Sequence, residues 1–507
     1  MSDSSRQQWG SKMGFLLSAI GSAVGLGNIW RYPYVLYRYG GGAFLIPYFV
    51  AIITAAIPLL VLEYTVGIKF RGTSPLSWAR IRAKYEWIGW VPAFIAGFIL
   101  FYYSSILSWG LNYLRYSFTQ AWGSDPSGFF FGTFLKLSDG PFQIGAINMP
   151  ILIGLILIWG GSFFLMSRDI SKGLEVCNKI LMPIMFVTMI IMVIRGVTLP
   201  NAAAGLNALF TPDFTAMRDP KVWLAAYGHV FFSTSLAMGV MITYSSYLDK
   251  KSEIPNSACV AGICNSAFEF TVAIGVFAIL GFMAGQRGVP VTEVVTSGVG
   301  LAFVAFPAGL NTMGGAGLFL GVIFFLCLVF AGYTSFISLL EAFIAPLGEK
   351  FGLSRKKGFA IFCFVGFLAS VIFSTGAGLY ILDIVDYYLN NFGLVLVGIL
   401  EAVAIGWMLK ISWFTEKANE GAFFKVGKKW EFCIQFLVPV IMIISLGMTI
   451  YSVATEGYEG YPVTALIAYG WLVMAICVIL PFIFQKMKWT TPLAHPDVTV
   501  PPSRSGK

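Results

Sequence analysis

The feature that most constrains this chain is the length of its uninterrupted apolar runs, at 43–62, 147–166, 181–194, 317–347 and 462–484. A run of roughly 20 apolar residues is long enough to cross the hydrocarbon core of a bilayer as a helix. In lipid every backbone polar group must be satisfied within the protein, which leaves only helices and closed barrels. A barrel strand alternates apolar and polar residues, whereas these runs are continuous. Charged residues make up 11% of the chain, less than half of the about 25% typical of soluble domains. The surface must therefore face lipid. The expected fold is an all-α membrane protein of about twelve transmembrane helices. They are placed near 14–37, 43–68, 89–117, 147–166, 174–195, 222–247, 258–283, 317–347, 357–375, 379–409, 432–453 and 462–486.

Net charge is +9, and its distribution reads as topology rather than as a nucleic-acid surface. One set of alternate loops holds Lys69, Arg71, Arg80, Arg82, Lys84, Arg168, Lys172, Lys250, Lys251, Lys350 and Arg355–Lys357, then Lys410, Lys417, Lys425, Lys428 and Lys429. With both tails that side collects 24 basic residues, against six on the other (Arg115, Lys136, Arg195, Arg218, Lys221, Arg287). Both termini are thus expected in the cytoplasm, with an even helix count, in the inner or plasma membrane. The N-terminus has no cleavable signal pattern. The seven cysteines lie in apolar stretches and imply no disulfide framework. Two histidines, His229 and His495, leave almost no basis for a metal site or a catalytic triad. Of the long outer loops, 118–146 and 284–316, the second is expected to fold back as a lid. The polar C-terminal tail, 487–507, reads as disordered.

Two of the helices are interrupted where a span should be continuous. The first carries Gly21, Gly25, Gly27, Asn28 and Arg31, and the sixth carries Ser233, Thr234, Ser235 and Gly239. Irregular backbone at mid-depth is tolerated where it lines a cavity or is buried in protein. Freed carbonyls there can bind a cation and freed N–H groups an anion. For Gly21 and Gly25 alone, close helix packing is the competing reading. Breaks five helices apart suggest inverted repeats at 14–195 and 222–409, after a segment 1–13 and before two further helices at 432–486. Arg31, Glu63, Glu269, Glu341, Asp383, Asp386 and Glu401 fall within helices, where each ion costs roughly 2.5–3.5 kcal/mol to insert. Buried roles are expected for them, with helix bracing the reading for Glu341 and Glu401. Asn265 and Glu269 share a helix face.

The stretch GSAVGLGNIWRYPYVLYRYGGGAFLIPY at 21–48 resembles the first-helix signature of the neurotransmitter:sodium symporter family. The resemblance continues through FYYSSILSW, VFFSTSLAMGVMITYSSY, CNSAFE and FAGYTS, covering ten helices well and the last two weakly. It implies the LeuT-like 5+5 inverted repeat, with the first helix of each repeat broken at the midplane. It also implies two sodium ions. One would be held by the Ala23 carbonyl, Asn28, Ser233, Asn265 and the substrate carboxylate. The other would be held by the carbonyls of Gly21, Val24 and Ala331 with the Thr334 and Ser335 hydroxyls. The substrate carboxylate would meet the Leu26 and Gly27 N–H groups and the Tyr103 hydroxyl, and its amine the carbonyls of Ala23, Phe232 and Ser235. The side-chain pocket would be Ser22, Ile99, Phe232, Ser235, Met238, Ser335 and Leu339.

By the same resemblance, Arg31 and Asp386 form the outer gate, while Arg6, Trp9, Tyr247 and Glu349 form the inner one. Glu349 departs from the usual Asp, and His229 from the usual Gln. Gly173 and Pro183 resemble a pattern that lets the fifth helix unwind. Glu269 stands where animal relatives carry Ser and need chloride, so a chloride-independent transporter is expected. Protonation of Glu269 on the return step would permit proton counter-movement. Gly25 stands where monoamine carriers carry Asp, so the substrate should bring its own carboxylate. The chain lacks the glycosylated outer loop of animal carriers and resembles bacterial members. The implied function is sodium-coupled symport of a zwitterionic, hydrophobic or aromatic amino acid by alternating access, without bond chemistry. Two rivals remain on the residues alone. An intramembrane enzyme using Glu269 and Asp383 would form product without a gradient. A channel-like protein would lack saturable, sodium-dependent binding.

Overall fold

A computed structural model describes residues 7–296 and 298–504. Among the described residues, ten helices are long and apolar enough to cross a membrane: Gly41–Phe70, Ala83–Ser117, Met149–Met166, Leu174–Val197, Ile254–Arg287, Gly315–Phe351, Arg355–Ser374, Gly378–Met408, Lys428–Glu456 and Val463–Gln485. Two interrupted pairs join them. Lys12–Ala23 and Leu26–Arg38 meet at a bend of 53°, and Pro220–Ser233 and Val240–Ser245 are separated by residues 234–239. With the first pair taken as one span, length and composition give up to eleven crossings among the described residues; the second pair is counted here as a further, sixth crossing, and crossings are numbered in chain order on that basis. Among the described residues there is no strand, only an isolated bridge between Leu409 and Ser503. All seven cysteines are free.

Burial separates the centre from the rim. The third crossing has 83% of its apolar window buried and the eleventh only 22%, so the last two crossings face mainly outward. The third and eighth crossings pack most extensively against one another. Side-chain caps start two of the crossings. Ser11 accepts from Gly14 N to cap the first crossing, and Asp219 caps the sixth through Lys221 N ahead of Pro220. Such caps satisfy N–H groups that a helix leaves open. The fifth crossing runs unbroken through Pro183, with Gly173 just before it, so the Gly173–Pro183 pattern is not unwound here. Loop 284–316 does fold into a short apolar helix, Gly298–Asn311, and Gly298 and Val299 reach the central cavity.

The tail corrects the sequence reading. Instead of being disordered, residues 488–504 run across the basic end of the bundle. Trp489 Nε1 donates to Glu86 (2.8 Å), and Arg80 Nη2 donates to the Pro492 carbonyl (3.1 Å). Asp497 pairs with Lys250, and Lys410 N donates to Pro502 O (3.0 Å). Lys350, fully buried, bonds Glu86 at 2.5 Å beneath the Trp489 ring. These partners lie far away in sequence, up to 412 positions for Arg80 and Pro492, which is why a polar, Pro-rich stretch looked unstructured.

The second crossing meets the second half of the sixth at Gly67. A Cβ there would lie 2.0 Å from Ser245 Oγ and 2.2 Å from Ile242 O. Overpacking of this kind costs about 1–3 kcal/mol. Gly67→Ala is therefore expected to lower the thermal midpoint of the purified protein in detergent. Gly160→Ala, where a Cβ would meet nothing within 4 Å, should leave it unchanged.

Candidate functional site

The two breaks face each other. In the first crossing the helix stops at Ala23, and Val24 and Gly25 are extended before it restarts at Leu26. Val24 N still bonds Ile20 O, while Gly25 N is held by Asn28 Oδ1 at 3.0 Å. The carbonyl end of one half and the N–H end of the other thus open onto the same space. A helix terminus carries about half an elementary charge, negative at the carbonyl end and positive at the N–H end. In the sixth crossing, Ser235 (φ 54°), Ala237 (φ 60°) and Gly239 (φ 68°) are left-handed. For Ser and Ala such backbone costs on the order of 1–2 kcal/mol per residue, so the surroundings must hold it. Buried Glu63 does so by accepting from Ala237 N at 2.8 Å. Ser235 Oγ donates to Ser22 O at 2.8 Å and ties the two breaks together.

Between the breaks lies a cavity of about 430 Å3. All the expected substrate residues line it: Ser22, Ala23, Leu26, Gly27, Ile99, Tyr103, Phe232, Ser233, Ser235, Met238, Ser335 and Leu339. A Cβ on Gly25 would sit 2.9 Å from Ser335 Oγ and 3.4 Å from the Tyr103 hydroxyl. That glycine therefore keeps open the polar corner in front of the Leu26 helix end. The opposite walls are apolar.

Two groups of oxygens lie beside the cavity. Ser335 Oγ is 3.4 Å from Gly21 O, 3.1 Å from Ser22 O, 3.2 Å from Val24 O and 3.3 Å from Ala331 O. One hydroxyl has one proton, so it cannot satisfy four carbonyls. Thr334 Oγ1, 3.0 Å from Ala331 O, adds a further oxygen. In the second group, one end of the Asn265 amide lies 2.8 Å from Asn28 Nδ2 and 3.2–3.3 Å from the carbonyls of Ser233 and Ala23. Oxygen at that end accepts from Asn28 but crowds two carbonyls; nitrogen serves the carbonyls but faces the Asn28 amine. No orientation satisfies every atom. These are the residues expected at the two sodium positions, and carbonyl, amide and hydroxyl oxygens suit a hard cation. Among the described residues no His, Cys, Asp and Glu cluster offers a transition-metal site.

Glu269 is fully buried next to the second group. It accepts from the Tyr48 hydroxyl and from Asn28 Nδ2 at 3.3 Å, and His229 Nε2 lies 3.0 Å away. His229, which departs from the family pattern, therefore belongs to this carboxylate rather than to a gate.

The gates differ from expectation in their pairings. Arg31 and Asp386 line the same cavity, but Asp386 accepts from Tyr102 (2.6 Å) and Asn390 (2.8 Å). Arg31 lies over the Phe232 ring, 5.2 Å from its centre. The cavity accordingly continues past them to Asp383, Glu459 and Tyr461. Asp383 accepts from Tyr458 and Tyr461, each at 3.0 Å, and has no contact with Glu269 that would support shared catalysis. At the basic end, Trp9 Nε1 donates to Tyr244 O at 2.8 Å, and Arg6 lies outside the described residues. Tyr247 donates to Glu341 at 2.9 Å, and Arg355 grips the same carboxylate with two bonds of 2.8 and 2.7 Å. Glu349 also accepts from Thr73 N and Oγ1. Glu341, read from sequence as a brace, is thus part of the closure. The signal available for it was an acid near one helix end and a base, Arg355, opening the next.

Comparison with known proteins agrees with this geometry. The model of the sodium:neurotransmitter symporter family matches residues 6–125 and 122–491. An uncharacterized sodium-dependent transporter of Methanocaldococcus jannaschii is 39% identical over 96% of this chain and 99% of its own. A sodium- and chloride-dependent GABA transporter 2 of Rattus norvegicus is 30% identical, covering 86% of this chain and 78% of the relative. A sodium- and chloride-dependent taurine transporter of Bos taurus is 30% identical, covering 94% and 84%. With the family matched over nearly its whole length, the chain belongs to the sodium:neurotransmitter symporter family and is a sodium-dependent membrane symporter, not an enzyme.

Proposed function

We propose that this symporter moves a zwitterionic amino acid with a hydrophobic or aromatic side chain, together with two sodium ions. One observation carries the reading: the cavity joins a helix N-terminus to a surplus of carbonyl oxygens. The Leu26 and Gly27 N–H end of its second half-helix suits a carboxylate, while the carbonyls around Ser335 and Asn265 suit two cations. The substrate carboxylate completes the oxygen set beside Asn265, so sodium and substrate strengthen each other's binding. Such coupling is reciprocal by thermodynamic necessity. Gly25 leaves the carboxylate to come from the substrate. The apolar wall of Ile99, Phe232, Met238 and Leu339 takes the side chain, and flexible Met238 repacks around different ones.

Alternating access follows from the same elements. The repeats 14–195 and 222–409 rock about the two breaks. Arg31 and Asp386 close together over the occupied cavity. The Trp9, Tyr247, Glu341 and Arg355 network then parts. Both termini are cytoplasmic and the membrane is the plasma membrane, in keeping with the excess of Lys and Arg at the end that holds the tails.

A purified-protein thermal-shift screen tests the pairing. Saturating substrate at 100 Kd should stabilise by about 2.7 kcal/mol in sodium and not in potassium, for hydrophobic or aromatic amino acids. Equal shifts in both salts, or binding of a decarboxylated amine but of no amino acid, would contradict it.

Transport is also proposed to be chloride-independent, because Glu269 supplies a fixed negative charge beside Asn28. At about 4 Å and an effective dielectric of about 20, that charge is worth roughly 4 kcal/mol to a neighbouring cation. Glu269→Ser should therefore abolish uptake in gluconate and regain it in chloride. Full activity of the variant in gluconate would remove the role.

A further inference from the structure

The loop that joins the tenth and eleventh crossings carries two bare aromatic rings at the basic end of the bundle. Phe423 is 93% exposed, more than any other large apolar side chain among the described residues, and its neighbour Phe424 is 56% exposed. A single exposed apolar residue needs no explanation, but this pair sits on a loop whose shape is fixed. Asn419 Nδ2 donates to Val426 O and Asn419 Oδ1 accepts from Val426 N, both at 2.8 Å. One side-chain amide thus closes residues 419–426 into a ring with Phe423 and Phe424 at its tip. Within it Ala422 N donates to Asn419 O at 3.2 Å. Gly421 is left-handed (φ 74°) and packs on the Lys251 carbonyl, from which a Cβ would lie 3.4 Å. The loop is therefore built to present its rings outward.

Charge and placement say what covers the rings. Residues 421–430, GAFFKVGKKW, contain Lys425, Lys428 and Lys429 and no acid, and all three lysines are exposed. The flanking acids are engaged elsewhere: Glu420 bonds Lys69 and Lys417, each at 2.6 Å, and Glu431 accepts from Thr415 at 2.6 Å. Exposed lysines at this end are expected from topology alone, but exposed rings among them are not. Lys428 opens the eleventh crossing. One and two turns beyond it, Phe432 and Phe436 stack on one another and are exposed on the outside of the bundle. The apolar face that meets lipid thus begins a few residues from the tip. Phe423 lies five positions before Lys428, so at most about 18 Å separate them. A soluble partner would have to reach a tip already placed at the membrane surface.

We propose that the Phe423–Phe424 tip docks into the headgroup layer of the leaflet at the basic end, with Lys425, Lys428 and Lys429 against anionic lipid headgroups. The rings enter the boundary between headgroups and acyl chains, as the apolar residues of interfacial segments do. The lysine stems lie along that boundary while their ammonium groups stay at headgroup level. The basic cluster selects anionic over zwitterionic lipid through the negative potential of the surface. Docking bears on the bundle because Glu420, in the same loop, bonds Lys69 at the end of the second crossing.

The test is photocrosslinking of the full-length protein in nanodiscs holding phosphatidylcholine and phosphatidylglycerol in equal amounts. Phe423 is replaced by p-benzoylphenylalanine, and the adducts are identified by mass spectrometry. We expect phospholipid adducts, with phosphatidylglycerol in several-fold excess over phosphatidylcholine. Lys425→Gln with Lys428→Gln and Lys429→Gln should bring that ratio close to one. No lipid adduct, adducts to protein alone, or equal labelling of the two lipids with the lysines intact overturns the proposal. Because the reporter is itself apolar, hydrogen–deuterium exchange of the unlabelled protein is read in parallel. The amides of Phe423, Phe424 and Lys425 should exchange several-fold more slowly in nanodiscs containing phosphatidylglycerol than in phosphatidylcholine alone. Phe423→Ser with Phe424→Ser should remove the difference; identical exchange of the unsubstituted protein in the two lipids overturns the proposal. Neither readout involves sodium or an amino acid, whose binding the thermal-shift screen reads separately.

Discussion

The structure depends on backbone groups left unpaired in the middle of two helices. A membrane interior punishes such groups, because no water is present to satisfy them. Here they are kept and surrounded. Gly25 N is taken by Asn28, Ala237 N by Glu63, and Ser22 O by Ser235. The carbonyls of Gly21, Val24 and Ala331 share one serine hydroxyl. The surplus of acceptors over donors is the physical basis for a cation site, and the open N–H end of Leu26–Arg38 is the basis for an anion site.

Both sit on elements from the two halves of the chain, which is what makes them useful for transport. Ser335 of the eighth crossing faces the carbonyls of the first, and Asn265 of the seventh faces Asn28 of the first. Ligands at these points pin the first crossing to its neighbours, and their departure releases it. Glu269 adds a fixed charge behind Asn28 and is itself held by Tyr48, with His229 at its other side. Closure at the basic end is built separately, from Trp9 on Tyr244 and from Tyr247 and Arg355 on Glu341. The structure combines a cavity that is open past Arg31 and Asp386 with a laced basic end.

Much of this was legible in the sequence because membrane physics leaves few options. Apolar run length placed the twelve crossings to within a few residues, except that the third begins earlier, at Ala83. Gly21, Gly25 and Gly27, echoed by Ser233–Ser235, marked both breaks, and the family resemblance gathered the cavity residues. What escaped depends on contacts remote in sequence or made with uncharged partners. Trp489 meets Glu86 across 403 positions, so no local pattern revealed an ordered tail. His229 reaches Glu269 across 40 positions, so no local pattern revealed that pair. Arg31 and Asp386 line one cavity but take other partners, Phe232 for Arg31 and Tyr102 and Asn390 for Asp386, and those partners lie far off in sequence or carry no charge.

The most direct test of the account is concentrative uptake by the purified protein in proteoliposomes. A labelled hydrophobic amino acid is supplied outside at equal concentration with the lumen, and an inward sodium gradient is imposed at clamped membrane potential. The account predicts accumulation above the external concentration, lasting as long as the gradient and absent when potassium replaces sodium on both sides. Accumulation that persists with sodium equal across the membrane, or equilibration that never exceeds the external level, would contradict coupling of the amino acid to sodium through one shared site.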